Sequence, residues 1–235
     1  MPKFAVYFVP QASSKFYKYG SSVLGYDVRT NQTVEISPEL REQLPNFKEE
    51  WVKNAQPYGF HLTIGDAIDF NPGVISQIER ELGDILGCFG SRHPFILRRC
   101  KDEPVSVWGK QREVVVLRYD ANDHLMMFHT LVVARINVLG IGSGYLNRYL
   151  STPRQYADEP HAALRIQKFY SPFVLSSYTP HFTLLNPYTG EDHDRLRSVF
   201  SERFSEFSEI AVASISLLVQ MHEDDVWKIH REFSR

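Results

Sequence analysis

Two short steps in the sequence, His61-Leu62-Thr63 within "PYGFHLTIGD" and His181-Phe182-Thr183 within "SYTPHFTLLNP", each place an imidazole and a hydroxyl two residues apart. Along an extended strand, side chains i and i+2 share a face, so each step projects its histidine and threonine together while Leu62 or Phe182 points the other way. Such a pair fills a core poorly and suits an anion well. Two imidazoles brought to one phosphorus atom can divide the proton work, one taking the proton of an attacking water while the other protonates the departing alkoxide. An unperturbed pKa of about 6.5 keeps both protonation states within reach near neutrality. Thr63 and Thr183 can donate to the non-bridging phosphoryl oxygens. The scheme calls for no metal and suits a strained ester such as a cyclic phosphate.

A single His-x-Thr is common in half-buried strands, so the weight lies in the repetition and in its surroundings, "PYGFH" and "YTPH". Tyr58 and Tyr178 each stand three residues before a histidine and can line the pocket or stack on a base. Tyr7, on the first strand, is a similar candidate. Arg165 and Lys168, with Lys110 and Arg112 in a turn-like piece, come nearest to a phosphate-attracting patch. The other histidines carry less. His124 and His129 are five apart on a predicted helix and poorly superposed for a metal, His222 and His230 flank a hairpin, and His93, His161 and His193 stand alone in polar segments. No Walker-type loop, Rossmann fingerprint, nucleophile elbow or aromatic RNA-binding motif occurs.

The elements that must position these residues are legible from the pattern. "KFAVYFVP" reads as a strand over 3–9, a helix follows over 13–24 with Gly25 as its stop, and residues 29–57 read as loop with short helix. The first His-x-Thr lies on a strand at 60–64. Val74, Ile75, Ile78, Leu82, Ile85 and Leu86 mark an amphipathic helix, and "FILRRC", 105–109 and 113–119 add strands. A helix is expected from 122 to 139 with Asn122 or Asp123 near its cap, then a polar piece at 151–160 and a shorter helix in "EPHAALRIQKFY". The second His-x-Thr lies on a strand at 180–184, followed by a helix over 191–206 and two closing strands in "IAVASISLLVQ" and "VWKIHREF". From each histidine the order is strand, helix, strand, strand. The economical reading is a pseudo-repeat of two α+β lobes that share a cleft, within one bilobal domain spanning 1–235.

Composition narrows the classes. With 43% hydrophobic residues in a chain of 235, a sizeable core is available. The 26 Lys plus Arg against 28 Asp plus Glu give a formal charge of -2, which offers no global attraction for long nucleic acid or an anionic membrane. Cys88 and Cys100 alone suggest neither a disulfide framework nor a zinc quartet. The apolar run at the start is too short for a signal peptide or a membrane span, so a cytoplasmic location is expected, with no membrane association and no obligate protein partner.

At His61-Leu62-Thr63 and His181-Phe182-Thr183 the chain resembles the 2H phosphoesterase superfamily, named for its two His-x-Thr/Ser motifs. Within it, "FAVYFVP", "YGSSVLGYD", "PYGFHLT" and "HFTL" look most like the uncharacterised group often encoded beside bacterial phosphonate-utilisation genes. The resemblance implies an α+β fold with a pseudo-twofold, in which two antiparallel sheets face a central cleft and helices lie outside. It implies a metal-independent hydrolase without a cofactor, acting on 2',3'-cyclic nucleotides, on RNA ends or on a related small phosphorylated metabolite. Catalytic roles fall on His61, Thr63, His181 and Thr183, and the family does not say which histidine is the base. The segment 120–178 is longer than in compact members and reads as a helical insertion. Gly65 follows the first motif where Leu185 follows the second, so the lobes differ chemically. A binding protein for a phosphorylated small molecule or short RNA is the alternative, and a protein-interaction module comes third.

Overall fold

The computed structural model describes residues 1–234. In chain order the elements are β1 (Lys3–Phe8), α1 (Lys15–Leu24), the short strands β2 (Tyr26–Asp27) and β3 (Gln32–Thr33), α2 (Pro38–Gln43), β4 (Leu62–Asp69), α3 (Ile75–Gly87), β5 (Ile96–Arg99), β6 (Val105–Trp108) and β7 (Val114–Ala121). Then come α4 (Asp123–Arg135), α5 (Gly144–Ser151), α6 (Pro160–Phe169), β8 (His181–Leu185), α7 (His193–Arg203), β9 (Glu209–Ala211), β10 (Ser214–Gln220) and β11 (Lys228–Ser234). Among the described residues, no helix is long and apolar enough to cross a membrane.

Local chemistry accounts for the helix ends. Ser14 accepts a hydrogen bond from the Tyr17 amide at the start of α1, and Gly25 closes it in the left-handed conformation at φ 68°. Asn122 caps α4 in the same way, accepting from the Leu125 amide. On α3, Ile78, Leu82, Ile85 and Leu86 recur at helical spacing and are buried. Two expectations need correction. The eight-residue α5, which Ser143 caps, lies where no helix was expected. "IAVASISLLVQ" forms two strands and not one, because β9 pairs with β5 while β10 pairs with β1.

The architecture is mixed α+β, with antiparallel sheets and peripheral helices. The sheets are unequal: β2 and β3 form a small ribbon, and nine strands form the other, in the order β11-β10-β1-β4-β8-β7-β5-β9 with β6 also paired to β7, off this path. Its two halves meet at β4 and β8 through a single register pair, Leu62 opposite Phe182. Behind that seam lies an aromatic core. The Phe60 and Phe182 rings stack at 4.8 Å, Phe16 of α1 meets Phe182 edge-on at 4.9 Å, and Phe204 stacks on Phe60 from the end of α7. α1 approaches so closely that a Cβ at Gly20 would lie 2.1 Å from the Phe60 ring. Phe60, Leu62 and Phe182 are fully buried, which fixes the opposite orientation of the side chains between them.

Candidate active site

Because Leu62 and Phe182 face each other across antiparallel strands and point into the aromatic core, His61, Thr63, His181 and Thr183 emerge together on the other face. Each histidine stands next to the threonine of the other strand. The two motifs are thus neighbours within one sheet, side by side and not on opposed walls.

Each imidazole is held by the carbonyl two residues before it. His61 Nδ1–H donates to the Gly59 oxygen at 2.9 Å, and His181 Nδ1–H donates to the Thr179 oxygen at 2.8 Å. A ring whose Nδ1 carries the proton leaves Nε2 free to accept one, and the carbonyl contact fixes the ring direction. His61 Nε2 lies 3.4 Å from its own Thr63 hydroxyl. His193 makes a similar contact with the Glu191 carbonyl at 3.1 Å on an exposed helix start, so that contact acquires meaning only where two such rings share a face.

Burial makes both rings reluctant to charge. It depresses His61 to about 4, with the Gly59 carbonyl opposing and the neighbouring His181 adding to the fall. His181 is lowered by burial against the opposing Thr179 carbonyl.

The aromatic packing differs between the motifs. Tyr7, opposite Thr63 on β1, stacks face to face on His61 with centroids 3.9 Å apart. Tyr58 tilts towards the same ring at 6.2 Å and rests on Trp227 at 5.5 Å. Trp108 of β6 meets His181 edge-on at 4.7 Å. Tyr178 is a brace: its hydroxyl donates to the Thr63 carbonyl at 2.8 Å, and its ring stacks at 3.7 Å on His129. His129 in turn donates from Nδ1 to the Ile64 carbonyl at 2.7 Å and accepts the Leu175 amide on Nε2 at 3.2 Å, which requires a neutral ring, and burial lowers its pKa to about 4.

Arg165 Nε donates to the Pro172 carbonyl at 2.7 Å, Lys168 is exposed near the end of α6, and among the described residues no hydrogen bond or ion pair joins either to an imidazole. The cation that strand register sets beside His181 is Arg118 on β7. Its guanidinium turns towards Ser106 at 3.4 Å and Glu103 at 3.9 Å. Trp108, Trp227 and Arg118 were not singled out from the sequence, and His129 was weighed there with His124 only as a metal ligand and set aside. Strand pairing brings Trp108 and Arg118 near the motifs, and Trp227 stands just before β11.

No family model and no curated protein matches the chain. Two surface hollows, of about 410 and 490 Å³, lie away from the motifs, one against Trp51 and Tyr188 and the other against Leu86 and Phe233. Among the described residues, no group of three or more His, Cys, Asp or Glu side chains is arranged to hold a metal ion.

Proposed function

We propose that this chain is a 2H-type phosphoesterase that hydrolyses cyclic phosphate esters of nucleotides or related small molecules by histidine acid-base catalysis. One observation carries the reading: two His-x-Thr steps on adjoining strands share a face, and each imidazole is tied through Nδ1 to the carbonyl two residues before it. Two Nε2 atoms that carry no proton, on strands that also bear two threonine hydroxyls, suit a tetrahedral anion.

Strand order supports the pseudo-twofold of that superfamily. From the seam outward, β4, β1, β10 mirrors β8, β7, β5, so β1-α1-β4-α3-β5 corresponds to β7-α4-β8-α7-β10. The two units exchange their last strands, β5 joining the second half and β10 the first. In this correspondence α4 matches α1, and the insertion begins after α4.

His61, stacked beneath Tyr7 and held near a pKa of about 4, is assigned as base, and His181 as its acid partner. Water attacks phosphorus, His61 Nε2 takes its proton, and the phosphorus bond to the 2' or 3' oxygen breaks as His181 gives that oxygen its proton. The product is a phosphomonoester, with the proton now on His61. Thr63 and Thr183 donate to the non-bridging oxygens, whose charge grows in the transition state.

Purified protein treated with EDTA should release 2'- or 3'-nucleotide from 2',3'-cyclic nucleotides, followed by chromatography. Turnover that disappears on chelation and returns with Mn²⁺ or Zn²⁺ would overturn the mechanism. Tight binding without turnover would make the protein a receptor.

A further inference from the structure

Just past the first motif, the pairing of β4 is irregular on both edges. Against β1 it pairs Thr63 with Tyr7 and then Gly65 with Val6, so the register slips there and Ile64 has no partner on β1. Against β8 it keeps one pair, Leu62 with Phe182. Side chains act where the ladders fail. The Tyr178 hydroxyl donates to the Thr63 carbonyl at 2.8 Å, and His129 Nδ1–H donates to the next carbonyl, that of Ile64, at 2.7 Å. Thr183, by contrast, is held by its pairing with Val116 on β7.

The two donors hold each other as well as the strand. Their rings stack with centroids 3.7 Å apart and planes 10° from parallel. The Leu175 amide donates to His129 Nε2 at 3.2 Å from a left-handed backbone conformation, φ 58°, that is uncommon for a residue other than glycine. That turn, Leu175–Ser177, leads directly into Tyr178. His129 thus ties β4 to the turn, and the turn delivers Tyr178 back to β4, which closes a circuit around one stretch of backbone. Gly65 lets α4 come this near: a Cβ there would lie 3.0 Å from Val132 Cγ1, about one turn along α4 from His129.

We infer that Tyr178 and His129 are positioning residues that set the Thr63 hydroxyl for donation to the phosphoryl group. The inference rests on the phosphodiesterase reading and names the groups that hold one of its donors in place. The carbonyl that Tyr178 holds belongs to Thr63 itself, so the peptide plane that sets the direction of its side chain is fixed from outside the sheet. Hydrogen-bond donation weakens steeply with misalignment, and a displacement of about 1 Å can cost about 10²-fold in rate. His129 is buried with both ring nitrogens engaged and one face covered, so it cannot turn without releasing Ile64, Leu175 and Tyr178 together. Tyr178 therefore acts through the backbone and not on the substrate.

The test couples Tyr178 to each threonine in turn. Tyr178→Phe removes the hydroxyl and keeps the ring, and it should lower kcat on 2',3'-cyclic nucleotides by about three- to tenfold with KM nearly unchanged, the scale of one hydrogen bond. In a Thr63→Ala background the same change should cost less than about twofold, whereas in Thr183→Ala the losses should multiply. His129→Leu should show the same coupling to Thr63, and His129→Gln, which keeps a donor and an acceptor, should recover part of the loss, with thermal melts checking that the variants are folded. The threonine methyl signals in NMR give a readout independent of turnover: in Tyr178→Phe that of Thr63 should shift while that of Thr183 stays. Losses that multiply with Thr63→Ala, or coupling of equal size to Thr183, overturn the assignment and leave the phosphodiesterase intact. If the unmodified protein shows no turnover, hydrolysis is removed and the methyl signals decide the rest. A shift confined to Thr63 then upholds the positioning role, and signals that both move or both stay overturn it.

Discussion

His61 and His181 occupy matching places on adjoining strands, and each is tied to the carbonyl two residues before it, yet their other surroundings differ. His61 lies under the face of Tyr7, with Tyr58 and Trp227 beyond, and its own threonine hydroxyl is 3.4 Å away. His181 packs at a steep angle against Trp108, with ring centroids 4.7 Å apart. The stacked Tyr7 thus distinguishes two otherwise like motifs and underlies the proposed assignment of His61 as base and His181 as acid.

The strongest way to break the comparison is to remove each ring. His61→Ala and His181→Ala should each lower kcat by about 10²-fold or more, and the double variant should lose far less than the product. The pH profile separates their roles. Both pKa values lie below the ordinary histidine value, so kcat/KM of the free enzyme should peak on the acid side of pH 6.5 and decline as His181 loses its proton. His61→Ala should erase the acid limb and His181→Ala the alkaline limb. The reverse pattern would exchange the assignments, and a flat profile with chemistry rate-limiting would remove them. Smaller losses are expected at the hydroxyls: Thr63→Ala and Thr183→Ala should each cost about tenfold in kcat, the scale of one hydrogen bond to a charged group. The smallest effect sharpens the comparison most. Tyr7→Leu should raise the His61 pKa towards 6.5 and leave His181 nearly unchanged, and Trp108→Leu should do the converse. Both are readable by NMR titration of the imidazole C–H signals, and equal shifts of both rings in either variant would deny that local packing sets the difference.

Local patterns carried much of this. Period-two alternation at "GFHLTI" and "HFTLL" placed the four motif side chains on one face of their strands, and the helices α1, α3 and α4 were readable from their apolar spacing and caps. What no local pattern contains is that Leu62 lies opposite Phe182, a contact across 120 residues that makes the motifs neighbours in one sheet. Arg165 suggested a phosphate ligand as one of two cations on a short helix, and in the fold its Nε holds the Pro172 carbonyl. The helix α5 was missed because "GYLNRYLS" opens on glycine and runs into a proline turn, so its short apolar face had too few turns to declare itself.

The pairing of β1 with β10 also bears on how the chain is made. β1 needs β10 along one edge, and Tyr7 there stands opposite Ser216, more than two hundred residues further on. At a synthesis rate of about 5–20 residues per second, that edge waits on the order of ten seconds or longer for its partner. During that time the nascent protein presents an unpaired row of backbone groups beside "FAVYF", a template for pairing with another emerging copy. The pairing of β1 with so distant a strand thus ties safe production of the protein to prompt completion of its chain.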